Sequence, residues 1–250
     1  MTARPVLVVL VHGGFLGPWS WAGVVTALER RGLMTVVPDL PSVGDPGQAP
    51  LGDFYADAEE VRRVLDSLSG PVLLCGHSYG GAVITEAAAG PHPSVAHLVY
   101  LAGAVPDVNE SMVSFAPVDG GEVPEAPDRN NAASEGPVAG PAGTIVLPAE
   151  QGVAVLFHDC SSEHAREGAE LLRPMNPAVG AQPTTGAAWR DIPTTFVRCT
   201  KDRLPEIVTA AFFQHGPEVV ELSAGHCPNW SQPEAVAELL AVRVERLAWT

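Results

Sequence analysis

The sequence predicts an α/β fold with a mostly parallel central sheet that is flanked by helices on both faces. Short, continuous apolar runs alternate along the chain with segments of helical periodicity, a pattern typical of a parallel sheet. The runs lack polar residues at every second position, so both faces of each strand are expected to be buried. With 250 residues, 46% of them hydrophobic, the chain is long enough to bury one sizeable core.

Six apolar runs are interpreted as strands, because glycine, proline or polar residues bound each of them. They lie at residues 6–11, 35–37, 72–75, 95–101, 195–199 and 219–222. The first run is too short for a membrane span or for the core of a signal peptide, and no later run approaches membrane length. We therefore expect a cytoplasmic protein without a membrane partner.

Apolar residues at helical spacing predict helices between these strands. The expected helices cover residues 19–31, 53–68, 80–89, 205–215 and 231–247, with a weaker signal over residues 153–172. Asp53 is expected to cap the second helix. Ser231 and Glu234 have the spacing of a capping box at the start of the last one.

Residues 104–192, called here the 104–192 segment, interrupt the alternation. The segment is rich in Pro, Gly, Asn and Ser and contains thirteen acidic residues against four basic ones. Such a density of proline and glycine does not suit a regular sheet layer. We therefore expect a core made of residues 1–103 and 193–250, with the segment inserted as a cap or lid.

Charge and cysteine content narrow the possible partners. The formal net charge of −15 repels phosphate backbones and argues against nucleic acid. Cys75, Cys160, Cys199 and Cys227 show no CxxC or metal-ligand spacing, so free thiols are expected. No phosphate-binding loop or set of metal ligands is visible, and we expect no metal and no cofactor.

The sequence Gly-His-Ser-Tyr-Gly-Gly at residues 76–81 directly follows the third apolar run. Gly76, Ser78 and Gly80 match the GxSxG nucleophile elbow, in which a serine occupies a sharp turn between a strand and a helix. Small residues flank the serine because bulky ones would clash on that turn. Loops at the carboxyl ends of parallel strands share one edge of the sheet, which makes Ser78 the candidate nucleophile.

A serine nucleophile needs a base, and the base needs an orienting acid. His226 follows the last apolar run, where a loop can bring it to Ser78. Asp202 follows the fifth run and is the preferred acid, while Asp107, after the fourth run, is the alternative. The chain order serine, acid, histidine is the one expected for this architecture.

Attack on an ester creates an oxyanion, which needs N–H donors already aimed at it. The backbone N–H of Tyr79 is one candidate. The second donor is expected from the glycine-containing loop after the first run, with Gly14 as the first choice and Phe15 as the next. His12 could support this loop.

Taken together, these motifs resemble the α/β-hydrolase fold, within the branch of plant methylesterases, hydroxynitrile lyases and their bacterial relatives. The similar stretches span nearly the whole chain and comprise residues 9–14, 19–21, 38–40, 76–81, 100–103, 106–107, 171–174, 199–202 and 225–226. The resemblance implies Ser78 as nucleophile, His226 as base, Asp202 as acid, and Gly14 and Tyr79 as oxyanion donors. This is the assignment already reached from the residues.

Two departures disfavour lyase activity. The hydroxynitrile lyases of this branch carry a lysine directly after the catalytic histidine and a threonine in the oxyanion loop. Here those places hold Cys227 and Gly14, so the release of cyanide would lack its cation.

We therefore expect a serine hydrolase that cleaves a small to medium carboxylic ester, or a related small carbonyl compound, through an acyl-enzyme. One alternative is a natural-product tailoring enzyme of the same fold, a cyclase, decarboxylase or retro-aldol lyase that uses the triad as acid and base. A non-catalytic ligand-binding protein is the third possibility. Ser78 excludes the chemistry of dehalogenases and most epoxide hydrolases, which need a carboxylate nucleophile.

The substrate pocket is expected between the sheet edge and the 104–192 segment. Aromatic side chains are the candidate lining, namely Phe15, Trp19, Tyr79, Phe115 and Phe157. Trp21 and Trp249 are assigned to the structural core. The acidic segment is expected to disfavour anionic substrates.

Overall fold

The computed structural model describes residues 5–45, 47, 50–115 and 136–248. In chain order its strands are β1 (Leu7–Val11), β2 (Met34–Val36), β3 (Val72–His77), β4 (Val95–Leu101), β5 (Val138–Ala139), β6 (Ile145–Val146), β7 (Thr194–Cys199) and β8 (Glu218–Leu222). Six of them form one parallel sheet in the order β2-β1-β3-β4-β7-β8. Strands β5 and β6 form a short antiparallel pair.

The α-helices are α1 (Ala22–Glu29), α2 (Phe54–Ser67), α3 (Tyr79–Ala87), α4 (Ala149–Val155), α5 (Ser162–Glu170), α6 (Ala210–His215), α7 (Pro228–Ser231) and α8 (Pro233–Ala248). Short 3₁₀ helices lie at Pro18–Trp21, Met112–Phe115, Pro141–Gly143, Pro177–Gly180 and Ala188–Arg190. Helix α2 begins as predicted, because the Asp53 carboxylate accepts a hydrogen bond from the backbone N–H of Ala56 at 3.0 Å.

The sheet separates two apolar cores. Alternate residues of β1 point to opposite faces: Val9 packs with residues of α2 and α3, whereas Leu10 packs with residues of α1 and α8. All five residues of β1 are buried, as expected for a strand covered on both sides. The predicted fold class is therefore confirmed, and each of the six sheet strands lies within two residues of its predicted bounds.

Two helix predictions and one predicted helix cap need correction. The helix expected over residues 205–215 begins only at Ala210, since Ile207 and Thr209 pair through their backbones with Val105 instead. The weak helical signal over residues 153–172 corresponds to two helices, α4 and α5, which a turn separates.

The capping box expected at Ser231 is wrong. The Ser231 hydroxyl donates to Asp159 at 2.9 Å rather than capping a helix. The chain leaves helical geometry at Gln232, and α8 begins at Pro233. A proline suits the first position of a helix because its missing N–H has no intrahelical partner there.

The described part of the 104–192 segment lies between β4 and β7 in the chain and is tied to the core by several contacts. Met175 forms antiparallel bridges with both Val43 and Ile145. The Glu86 carboxylate of α3 accepts from the backbone N–H and the hydroxyl of Thr185, each at 2.6 Å. Within the described ranges, every helix is too short or too polar to cross a bilayer.

Candidate active site

Ser78 lies on the turn between β3 and α3. Its φ of 52° falls in the left-handed region, which is strained for a residue with a side chain. A Cβ at Gly76 would lie 2.4 Å from the carbonyl oxygen of Gly80, and one at Gly80 would lie 2.6 Å from that of His12. The flanking glycines are therefore required by close backbone packing, which holds the serine at the sheet edge.

In the structure, His226 lies within hydrogen-bond distance of both Ser78 and Asp202. His226 Nε2 is 2.8 Å from Ser78 Oγ, and His226 Nδ1 is 2.7 Å from Asp202 Oδ2. A carboxylate only accepts hydrogen bonds, so Nδ1 carries the proton and Nε2 is free to accept from the serine hydroxyl. The other carboxylate oxygen of Asp202 accepts from the backbone N–H of Leu204 at 2.9 Å.

Asp107, the alternative acid, lies elsewhere. Its carboxylate accepts from the guanidinium of Arg190, with 3.1 Å between Oδ1 and Nε. Arg190 also stacks over the ring of Trp189. The structure thus pairs Asp107 with an arginine rather than with His226.

The loop that carries His226 is held from the core side by His77. The backbone carbonyl of His226 lies 2.8 Å from His77 Nε2 and can only accept, so this nitrogen donates. Burial, followed by the charge of His226, lowers the pKa of His77 to about 3. His77 is therefore a neutral donor at working pH, fixed behind the serine.

The same loop is held from the other side by Asp159, on the turn between α4 and α5. Asp159 Oδ2 accepts from the backbone N–H of Gly225 at 2.7 Å and from the Ser231 hydroxyl at 2.9 Å. A Cβ at Gly225 would lie 2.7 Å from Asp159 Oδ1, so this position favours glycine. The sequence analysis missed Asp159, because no local motif marks a carboxylate that acts across the fold.

The loop after β1 has a distinctive backbone. Phe15 has a φ of 61°, and its carbonyl accepts from the backbone N–H of Arg173 at 2.8 Å. His12 Nε2 accepts from the N–H of Leu40 at 3.2 Å, so its Nδ1 donates to the carbonyl of Gly13 at 2.9 Å. His12 thus supports this loop.

Three backbone N–H groups at this edge are free. Those of Gly14, Phe15 and Tyr79 have no acceptor among the residues that the structure describes. Tyr79 is the first residue of α3, where the helix dipole favours negative charge. An oxyanion next to Ser78 would find such donors here.

A buried carboxylate supports Tyr79 from behind. Asp57 is fully buried and accepts from the Tyr79 hydroxyl at 2.6 Å, from the Ser42 hydroxyl at 2.5 Å and from the Ser42 N–H at 2.8 Å. Burial raises the pKa of this carboxyl group. Sequence reasoning missed Asp57, which reads as an ordinary polar residue of the helix pattern.

A cavity of about 430 Å³ opens at Ser78. Gly14, Tyr79, Asp202 and His226 line it together with the serine, and most of the remaining lining is apolar, as in Ile145, Met175, Phe196 and Ile207. Its volume falls in the usual range for small-molecule sites, about 300–1,000 Å³. Residues of the 104–192 segment form part of the wall.

The structure corrects three of the five predicted aromatic positions. Phe15 and Tyr79 line the cavity, whereas Trp19, Phe115 and Phe157 do not. Phe157 is fully buried in a separate apolar cluster, and Trp19 packs against that cluster with its ring edge-on to Trp230. Phe115 ends a 3₁₀ helix and is half-buried. For Trp19 and Phe157, packing in this separate cluster therefore outweighs access to the cavity.

The two tryptophans assigned to the core have different outcomes. Trp21 is fully buried on the α1 side of the sheet, and Trp249 lies outside the described residues.

No three His, Cys, Asp or Glu side chains within the described ranges are grouped so as to hold a metal ion, and the four cysteines are unpaired. That the chain needs no cofactor stays a prediction.

Comparison with known proteins bears on the family and the fold. A sequence model described as the alpha/beta hydrolase family matches residues 8–239. The alpha/beta hydrolase nvfD of Aspergillus novofumigatus is 28% identical to this chain, and the match covers 93% of this chain and 94% of that protein.

Solved structures show the same architecture. A pyrethroid hydrolase from Sphingobium faniae has a TM-score of 0.75 and 25% identity, covering 98% of this chain and 100% of that one. A methylesterase from Arabidopsis has a TM-score of 0.71 and 20% identity, covering 97% and 99% of the two chains. At that identity, the second likeness concerns the fold alone.

Proposed function

Because the chain belongs to the alpha/beta hydrolase family, we propose that it hydrolyses a carboxylic ester, with Ser78 as nucleophile, His226 as base and Asp202 as acid. The membership confirms the family that the sequence motifs predicted. The observation that carries the proposal is the chain of short contacts from Ser78 Oγ through His226 to Asp202, 2.8 and 2.7 Å long, in the lining of one cavity.

The first half-reaction forms an acyl-enzyme. Ser78 Oγ attacks the ester carbonyl carbon while its proton passes to His226 Nε2, and Asp202 stabilises the resulting imidazolium. The carbonyl oxygen becomes an oxyanion, which accepts from the N–H groups of Tyr79 and Gly14. When the tetrahedral intermediate collapses, the carbon–oxygen bond to the alcohol breaks and His226 returns the proton to the leaving alcohol.

Water completes the cycle. It loses a proton to His226 as it attacks the acyl carbon, and the second collapse releases the carboxylic acid and restores the Ser78 hydroxyl. The products are one acid and one alcohol. The neutral His77 and the carboxylate of Asp159 hold the His226 loop through both halves.

The substrate class follows from the cavity and from the relatives. An apolar cavity of about 430 Å³ suits a small to medium, largely uncharged ester. The similarity to a pyrethroid hydrolase at 25% identity supports ester hydrolysis and leaves the individual substrate open. We assign the 104–192 segment to a cap over this site, on the grounds that Ile145 and Met175 belong to the wall. Cytoplasmic location and the absence of nucleic-acid and membrane partners stay predictions.

The test is a covalent label followed by kinetics. The wild-type protein is incubated with a fluorophosphonate, and peptide mass mapping should find the label on Ser78. A panel of p-nitrophenyl esters of increasing acyl length should be hydrolysed by the wild type and not by Ser78→Ala. Asp202→Asn should lose most activity, whereas Asp107→Asn should retain it, because only Asp202 contacts His226.

Two results would reject this function. An unlabelled Ser78 together with no ester hydrolysis across the panel would favour a ligand-binding role. A Ser78→Ala variant that still turns over a carbonyl substrate would favour acid–base chemistry without an acyl-enzyme.

A further inference from the structure

Gln151 of helix α4 is the starting observation. Its side chain lines the cavity that contains Ser78, and the residue is only 9% exposed. Its side-chain amide makes no hydrogen bond with the described residues, and its polar atoms are not among the fully enclosed ones that lack a partner, so they are solvent-accessible. An accessible amide in a largely apolar wall is a group that can orient a ligand by hydrogen bonding.

The other amide, hydroxyl and charged side chains that line the cavity are already engaged. Ser78, His226 and Asp202 contact one another, and the Tyr79 hydroxyl donates to a buried carboxylate. Arg198 pairs with Glu206, with Nε 2.5 Å from one carboxylate oxygen. Among the amide, hydroxyl and charged side chains in the described lining of the cavity, that of Gln151 alone makes no hydrogen bond with the protein.

The amide can supply what a ligand needs. It carries two N–H donors and one acceptor and no charge, so its natural partner is a neutral oxygen. The scissile carbonyl is committed to the backbone donors of Tyr79 and Gly14 under the proposed mechanism. The partner of Gln151 is then a second polar group on the same substrate.

We propose that Gln151 is a specificity-determining residue that binds a second neutral oxygen, a ketone carbonyl or a hydroxyl group, on an otherwise apolar ester. This inference rests on the proposed esterase function. An anion is a poor partner because the arginine at the wall is neutralised by Glu206 and the chain has a net charge of −15. A site that offers a hydrogen bond discriminates against analogues that lack the partner group.

The kinetic test uses matched ester pairs that differ by one oxygen. In the acyl series, p-nitrophenyl hexanoate is compared with its 4-oxo and 5-oxo derivatives. In the alcohol series, 4-ethylbenzyl butanoate is compared with 4-acetylbenzyl butanoate. For at least one pair, the ratio of kcat/KM for the oxo ester to that for its parent should fall about tenfold or more in Gln151→Leu.

A second measurement separates this role from a structural one. Gln182 is the matched control, because its amide bonds to the N–H of Phe54 at 3.0 Å and to Asp53 at 2.8 Å. Gln182→Leu should lower the melting temperature and leave the kinetic ratios unchanged. Gln151→Leu should melt close to the wild-type temperature, because it breaks no hydrogen bond among the described residues.

The outcomes are distinct. Unchanged ratios in every matched pair, or a loss of melting temperature in Gln151→Leu as large as in Gln182→Leu, would overturn the inference. If ester hydrolysis still depends on Ser78 in that case, the proposed function stands without it. If the wild type hydrolyses no ester and Ser78 takes no label, both proposals fail.

Discussion

Asp159 binds the backbone N–H of Gly225 at 2.7 Å, and this contact joins the 104–192 segment to the loop that carries His226. Gly225 directly precedes His226, so the position of the imidazole depends on a carboxylate far away in sequence. Neither Asp159 nor Gly225 contacts the reacting atoms in the proposed mechanism. Their effect on catalysis acts through the geometry of His226.

Asp159→Ala should lower kcat roughly tenfold with a smaller change in KM, because displacement of the base impairs proton transfer more than substrate binding. Asp159→Asn should recover most of the loss, since its amide oxygen can still accept from Gly225. Ser231→Ala is the control, as it removes the other bond to Asp159 and leaves the Gly225 contact. Hydrogen exchange of a peptide containing Gly225 should rise in Asp159→Ala, and a kcat unchanged despite faster exchange would contradict the prediction.

His77 should make folding stability depend on pH. Its pKa lies near 3 in the folded chain, whereas an unfolded histidine titrates near 6.5. Below about pH 6.5 the unfolded chain binds a proton that the folded chain does not, so stability is lost as pH falls. Between pH 7 and pH 5 this group should cost about 2 kcal/mol of unfolding free energy.

Urea unfolding of the wild type and of His77→Gln at both pH values measures this effect. The glutamine amide can still donate to the carbonyl of His226 and has no titration in this range. Other histidines contribute equally to both proteins, so the difference between the two pH-dependent losses isolates His77. Identical losses in the two proteins would show that His77 is not held neutral.

Tyr79→Phe should destabilise the protein by about 1–2 kcal/mol, because it leaves the buried Asp57 with fewer donors. Tyr55→Phe is the matched control, since the Tyr55 hydroxyl donates to the carbonyl of Pro183 at 2.9 Å on an exposed part of the surface. Its effect should stay within about 0.5 kcal/mol. Equal losses for the two variants in thermal unfolding would argue against a supporting role for Asp57.

Arg173→Ala should lower kcat/KM roughly tenfold by loosening the loop after β1. The guanidinium of Arg173 contacts Asp39 at 2.9 Å and the carbonyl of Val43, while its backbone N–H holds Phe15. Arg190→Ala serves as the comparison, because its ion pair with Asp107 is remote from that loop. Steady-state kinetics on one p-nitrophenyl ester suffices, and equal values for both variants would contradict the role given to Arg173.

Local patterns predicted most of the fold. A strand buried on both faces needs a continuous apolar run, and each such run in this chain became a sheet strand. The sequence allowed the selection of Ser78, Asp202 and His226 because parallel strands end at the same edge of the sheet. Residues that directly follow such strands are therefore expected to lie close together. In the structure His226 lies within hydrogen-bond distance of both Ser78 and Asp202, while the catalytic roles of the three residues remain a proposal.

The supporting residues could not be selected in this way. Asp57 and Asp159 act through contacts that join remote parts of the chain, and each lies in a helix or turn whose local pattern is ordinary. The predictions for Trp19 and Phe157 failed for a related reason. Both side chains pack in one apolar cluster, away from the cavity. The start of α6 shifted because Val105 offers a backbone partner that no local propensity encodes.

The bond between the Arg173 amide and the Phe15 carbonyl has a consequence for protein engineering. Phe15 adopts an unfavourable left-handed backbone conformation. The residue that restrains it, Arg173, belongs to the 104–192 segment, which a designer would delete to open the pocket. Replacing residues 104–192 with a short linker would therefore not yield a stripped-down enzyme with broader scope. It would remove the backbone contact that restrains Phe15, and with it a support of the loop that follows β1.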